Sequence, residues 1–141
     1  MYEMRKDLEA EMKARQAMKE RQEMLTKHEL IQAERLDAGR QALDRLLTIA
    51  KTRRSGQIER IALFIGACWN GRRHFDFFDF RALDWEIQED MFAVLLAHAT
   101  GYEDIENMLP DARARIIEVL DSWGMYGPDQ TGQVIAARNS Q

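Results

Sequence analysis

The sequence predicts an all-α fold, a small helical bundle with a long charged N-terminal helical arm, and three observations carry that prediction. Residues 1–52 contain no Pro and a single Gly, Gly39, within a near-continuous supply of Glu, Lys, Arg, Gln, Met, Leu and Ala, the strong helix formers. Three later segments, 58–69, 87–98 and 116–123, place apolar residues at helical spacing. The one stretch that alternates like a strand, 72–80, has no second strand elsewhere in the chain to pair with, and its Asp residues suit turns and helix caps.

With 141 residues the chain accommodates one core and an appendage. Charged residues make up 31% and the mean hydropathy is −0.49, yet 45% apolar content with six Phe and three Trp excludes wholesale disorder. The longest apolar run, 61–69, is interrupted by Gly66 and falls far short of the roughly 20 residues of a bilayer span. Residues 1–13 carry four acids and three bases and no apolar stretch, so no secretory signal is expected. A single Cys cannot form an internal disulfide, which points to a reducing, cytoplasmic compartment. Cys68, between Ala67 and Trp69, reads as a small buried hydrophobe, because no nearby cation lowers its pKa.

Charge divides the chain. Residues 1–54 hold 13 Lys/Arg and 10 Asp/Glu, a balance of +3, whereas residues 55–141 hold 7 and 14, a balance of −7. In the first part Glu9–Lys13, Glu11–Arg15 and Glu23–Lys27 set an acid four residues before a base, which supports a solvated helix. A heptad frame puts Met1, Leu8, Arg15, Gln22 and Glu29 at one seam position and Met4, Glu11, Met18, Leu25 and Gln32 at the other. Five of these ten seam positions are polar, more than a stable two-stranded coiled coil usually carries. Apolar content rises after Leu30, where Ala33, Leu36, Leu43, Leu46, Leu47 and Ala50 share one face. Residues 1–28 are therefore expected to project and residues 29–52 to dock, either as one helix or as a hairpin broken near Gly39.

Lys51-Thr-Arg-Arg-Ser-Gly56 is the first break, and a core domain is expected over 55–124. Residues 57–69 are apolar around most of the circumference, as in a central helix, and Asn70-Gly71 ends them. After the 72–80 loop, Asp79 is expected to cap a turn at 80–83 and Asp84 a helix over 85–100, with Ile87, Met91, Val94, Leu95 and His98 facing inward. Gly101 stops that helix, 104–108 form one turn, and Pro110 opens a last helix with Ile116, Ile117, Val119, Leu120 and Trp123 on its apolar face. Gly124 ends it, and 125–141 read as a loosely ordered tail whose residues 134–137 touch the surface.

The chemistry is sparse. There is no phosphate-binding Gly-rich loop, no Gly-x-Ser-x-Gly elbow and no His-Glu-x-x-His helix. His74 with Asp76 and Asp79 is the best local cluster, but its spacing imposes no convergent metal geometry, and the Asp residues read as caps. His98 reads as a core or rim histidine with no nucleophile beside it, and Glu86, Glu89 and Asp90 suit the positive end of a helix. No catalytic residue, cofactor or metal is expected, and the chain reads as a non-enzyme.

Two binding surfaces emerge instead. Lys51, Arg53 and Arg54 end the arm while Arg72, Arg73 and His74 follow the central helix. A shared basic patch beside Phe75, Phe77 and Phe78 would suit single-stranded nucleic acid. The acidic pI of about 5.4 weighs against it, and the Phe residues read as core anchors. The Met-rich arm offers Met4, Leu8, Met18 and Leu25 as an adaptable interface for a protein partner or for self-association as a homodimer.

The run Ser-Gly-Gln-Ile-Glu-Arg-Ile-Ala-Leu-Phe-Ile-Gly-Ala-Cys-Trp-Asn-Gly over 55–71, followed by Phe75-Asp76-Phe77 and Ala82-Leu83-Asp84, is similar to a family of small uncharacterised bacterial proteins often carried by plasmids and phages. The resemblance covers about 55–124. It implies a compact helical accessory domain without catalytic residues, with the arm over 1–50 as an addition to the pattern. Mobile-element accessory proteins of this size include anti-CRISPR inhibitors of host defence, often small, acidic and non-enzymatic, and by analogy with them an acidic surface can occupy the nucleic-acid channel of a host complex. The functional expectation is a non-enzymatic interaction protein binding a host protein complex or itself, with a nucleic-acid-associated regulator using the basic patch as the alternative.

Overall fold

The computed structural model describes residues 2–126, and over them the chain is all-α: four α-helices, two short 3-10 helices and no strand. Helix α1 runs unbroken over Tyr2–Thr52, α2 over Gly56–Trp69, α3 over Trp85–Ala99 and α4 over Ala112–Ser122. The 3-10 helices are Phe77–Ala82 and Ile105–Asn107. The expected contact of 134–137 lies outside the described residues.

The chain divides into two units, Met1–Glu34 and Arg35–Gln141. In the first, every described side chain from Glu3 to Ile31 is exposed, so helix propensity maintains it rather than burial, with local contacts such as the Gln16 amide donating to Glu20 at 3.2 Å. In the second, burial begins at Gly39, with Leu36 half-buried against the core. Docking was expected from residue 29. Leu30 and Ile31 are exposed, and the buried series starts where the apolar spacing becomes regular, at Leu36, Gly39, Leu43, Leu46 and Ala50. Gly39 does not break the helix. It is the contact point with α3, where a Cβ would collide with Ala97 Cβ and stand 3.2 Å from the Ala93 carbonyl oxygen. A glycine there costs helix propensity but lets two helices approach closely.

Ile58, Ile61, Ala62, Phe64 and Ile65 of α2 are buried, as expected of a central helix. Around them lie Leu43, Leu46 and Leu47 of α1, Met91 and Val94 of α3, and Ile116, Val119 and Leu120 of α4. Ile105 and Met108, in and after the second 3-10 helix, complete the core. Helix α3 turns inward through Ile87, Met91, Val94 and Ala97, while Leu95 and His98 are exposed, which corrects the predicted inner face. Ala97 instead sits against Gly39 of α1, while Leu95, at the edge of the inner face, and His98, in the last turn of the helix, line a surface groove. Ion pairs fasten the polar side of α1 within this unit: Arg45 reaches Asp90 at 2.8 Å, Arg115 reaches Asp44 at 2.7 Å and Arg40 reaches Glu103 at 2.8 Å.

The end of α4 departs most from expectation. Gly124 adopts φ 66°, its N–H donates to the Asp121 carbonyl at 3.0 Å, and the Met125 N–H donates to the Leu120 carbonyl at 2.8 Å. These are the two bonds of a Schellman stop, which brings the residue after the glycine back onto the helix. Met125 is consequently buried in the core rather than the first residue of a loose tail, and Tyr126 packs 6.2 Å from Trp69. Asp111 occupies the N-cap of α4, so Pro110 precedes the helix instead of opening it.

Candidate interaction surfaces

The cations predicted to form one patch emerge from opposite ends of α2, a 14-residue helix that rises about 20 Å. Arg54 and Arg73 both turn to the C-terminus of α4. Arg54 donates to the Ser122 carbonyl at 2.9 Å and lies 4.4 Å over the Trp123 ring, while Arg73 donates to the Met125 carbonyl. They satisfy carbonyls at the negative end of a helix, where a guanidinium is favoured. Arg73 is only 8% exposed, and burial pushes its pKa below the ordinary arginine value. Gly66 makes room for it, since a Cβ there would stand 3.2 Å from Arg73 Cδ. Arg73 is therefore a structural anchor and not a surface contact, which corrects its place in the predicted patch.

Lys51 pairs with Glu118 at 3.6 Å, and with Arg53, Arg54 and Arg115 it lines a groove of about 240 Å³ between the ends of α1 and α4. Arg72 and His74 are exposed at the other end of α2. The structure thus separates the six predicted contacts into a groove rim, a buried cap and a loop.

The loop itself is an aromatic surface. Asp76 accepts from the Phe78 N–H at 2.9 Å and starts the 3-10 helix, a role predicted for Asp79, which instead accepts from Arg60 at 3.3 Å. Asp84 stands at the N-cap of α3, but its carboxylate is 3.4 Å from Gln57 Nε2 and makes no capping bond. Phe75, as expected, and Phe80, which was not predicted to, are half-buried and anchor the loop, with Phe75 5.6 Å from Phe64. Phe77 is 74% exposed and Phe78 70%, so those two do not anchor it. Phe77, Phe80 and Phe92 stack in series, with ring centroids 6.1 and 5.3 Å apart.

Next to them is a groove of about 220 Å³ lined by Phe64, Cys68, His74, Phe75, Leu95 and His98 among others. Burial pushes the Cys68 thiol up to about 12, so it stays protonated and unreactive across physiological pH. His74 and His98 share this rim, an approach that 24 residues of separation concealed. Among the described residues no group of three or more His, Cys, Asp or Glu is placed to hold a metal ion. No described helix is long and apolar enough to cross a membrane.

The predicted arm residues Met4, Leu8, Met18 and Leu25 are all exposed, together with Met12, Met24, Leu30 and Ile31. Of these, Met4, Leu8, Met18 and Leu25 share one side of the helix, whereas Met24 and Ile31 lie on the other.

Fold and surfaces together define an all-α protein with an exposed apolar series on its arm and an aromatic loop beside α2. The chain belongs to the DUF7673 family, a family of unknown function, whose model matches residues 40–124. The match begins within α1, one residue after the first buried position, so most of the docked stretch of α1 lies inside the family match, while Leu36 and Gly39 precede it. No curated protein and no solved structure matches the chain.

Proposed function

We propose that this chain is a non-enzymatic interaction protein: the unit from Arg35 onward is a stable platform, and the apolar face of the arm at Met4, Leu8, Met18 and Leu25 engages a protein partner. The observation that carries this reading is the exposure of eight large Met, Leu and Ile side chains along residues 3–31 of a continuous helix. Methionine suits such a surface because its unbranched thioether fits varied grooves with little strain. The partner is a host protein complex or a second copy of the chain. A bacterial mobile-element setting, implied by the resemblance over 55–124, makes inhibition of a host-defence assembly the specific form of the first. The balance of −7 on 55–141 supplies charge complementary to a basic channel.

The test is a tagged pull-down from bacterial lysate, with and without nuclease. It compares the full chain with a full-length variant carrying Gln at Met4, Leu8, Met18 and Leu25. A nuclease-resistant protein recovered by the first and lost by the second is expected. Recovery of nuclease-sensitive material alone, abolished by neutralising Lys51, Arg53 and Arg72, would replace this reading with a nucleic-acid-associated regulator.

A further inference from the structure

We infer that the partner of the arm is a second copy of this chain, paired antiparallel so that Glu11 of each copy faces Arg15 of the other. This rests on the reading that the arm face is an interface, and it names the occupant and the register. The seam of a two-stranded coiled coil is made of the first and fourth positions of each heptad, and in an antiparallel pair a first position packs against a fourth. Over the exposed part of α1 the first positions are Leu8, Arg15, Gln22 and Glu29, and the fourth are Met4, Glu11, Met18 and Leu25.

One alignment makes this seam complementary to itself. With Glu11 opposite Arg15, Leu8 meets Met18 and Met4 meets Gln22, each pair occurring twice by symmetry. Moving the copies by one heptad in one direction puts Leu8 against Glu11 and Met4 against Arg15. Moving them the other way sets Leu8 on Leu25 but puts Arg15 against Met18, Met4 against Glu29 and Glu11 against Gln22. A parallel, in-register pair stacks Glu11 on Glu11 and Arg15 on Arg15. The polar residues that make the seam look unsuitable in a single chain thus select one register, because each misalignment leaves a charge against an apolar or like-charged neighbour.

The flanks agree in part. Asp7 lies beside Arg21 of the second copy, and Met12 and Ala14 each meet their own equivalents near the two-fold axis. Arg5 beside Lys19 is a like-charge pair. About three heptads with a charged layer at the centre give a weak, reversible dimer.

The experiment is sedimentation equilibrium of the full chain over a wide concentration range, with circular dichroism to confirm that each variant stays helical. A monomer–dimer equilibrium is expected, and E11R or R15E alone raises its dissociation constant about tenfold or more. The double variant E11R/R15E restores it, and K19E tightens it by removing the one repulsive flank. L8C with M18C in the same chain forms an inter-chain disulfide under mild oxidation, whereas L8C alone does not.

A chain that stays monomeric at every concentration overturns the inference. If it nevertheless captures a protein through Met4, Leu8, Met18 and Leu25, the interaction reading stands without it. A dimer indifferent to E11R and R15E, or cross-linked by L8C alone, overturns the register.

Discussion

Residues 4–25 and 36–50 lie on one continuous helix and in one heptad frame, yet the seam positions of the first stretch are exposed and those of the second are buried, Leu36 by half. The difference is in what fills the frame. In the second stretch the seam is Leu36, Gly39, Leu43, Leu46 and Ala50, all apolar or small, and α3 and α4 supply matching apolar faces. In the first it includes Glu11, Arg15 and Gln22, which cannot enter such a core without partners for their charges and amide. Helical conformation is common to both stretches; burial is not, and it follows the seam residues rather than helix propensity.

Four substitutions test that contrast. The largest effect is expected from Leu46→Ala, which empties a fully buried position and costs about 3 kcal/mol in urea unfolding; a value below about 1 would mean that α1 is not integral to the core. Gly39→Ala sharpens the comparison, because a single methyl driven into Ala97 must part α1 from α3. About 2 kcal/mol is expected, against the small gain alanine gives in an exposed helix, and a stabilised protein would refute the close approach.

Arg45→Ala removes the 2.8 Å ion pair to Asp90 at a partly exposed site, and a loss under about 1 kcal/mol would show that docking is apolar rather than ionic. Leu25→Ala is expected to change the unfolding of the core by less than about 0.5 kcal/mol in dilute solution. A drop as large as that of Leu46→Ala would erase the distinction between the two stretches.

Much of the architecture was readable in the sequence for local reasons. Helix formers without Pro gave α1, a nearly all-apolar circumference gave α2, and Gly101 and Gly124, both with positive φ, mark the ends of α3 and α4 as predicted. Failures occurred where the determinant was remote in sequence. Leu95 and His98 line a groove at the edge and end of α3 instead of its packed face, and the place of Ala97 on that face is set by a glycine on α1, for which an isolated Gly in a helix-forming run opposite Ala93 and Ala97 was the available signal.

The candidate arm face was legible because heptad spacing is local. The basic patch was not, because Arg54 and Arg73 are used at the end of α4, 68 and 52 residues away. Charge in a sequence does not reveal whether a guanidinium faces solvent or a carbonyl. Phe77 and Phe78 follow the same rule, since composition alone did not separate the anchoring rings from the exposed ones.

The Schellman stop at Gly124 has a practical consequence for where this domain ends. The family match closes at residue 124, one position before Met125. A chain shortened to that limit would lose the N–H that closes the Leu120 carbonyl, the side chain that seals the core beside it and the carbonyl to which Arg73 donates. The physical domain therefore extends at least to Met125, and a boundary drawn from sequence similarity alone would cut through its last fastening.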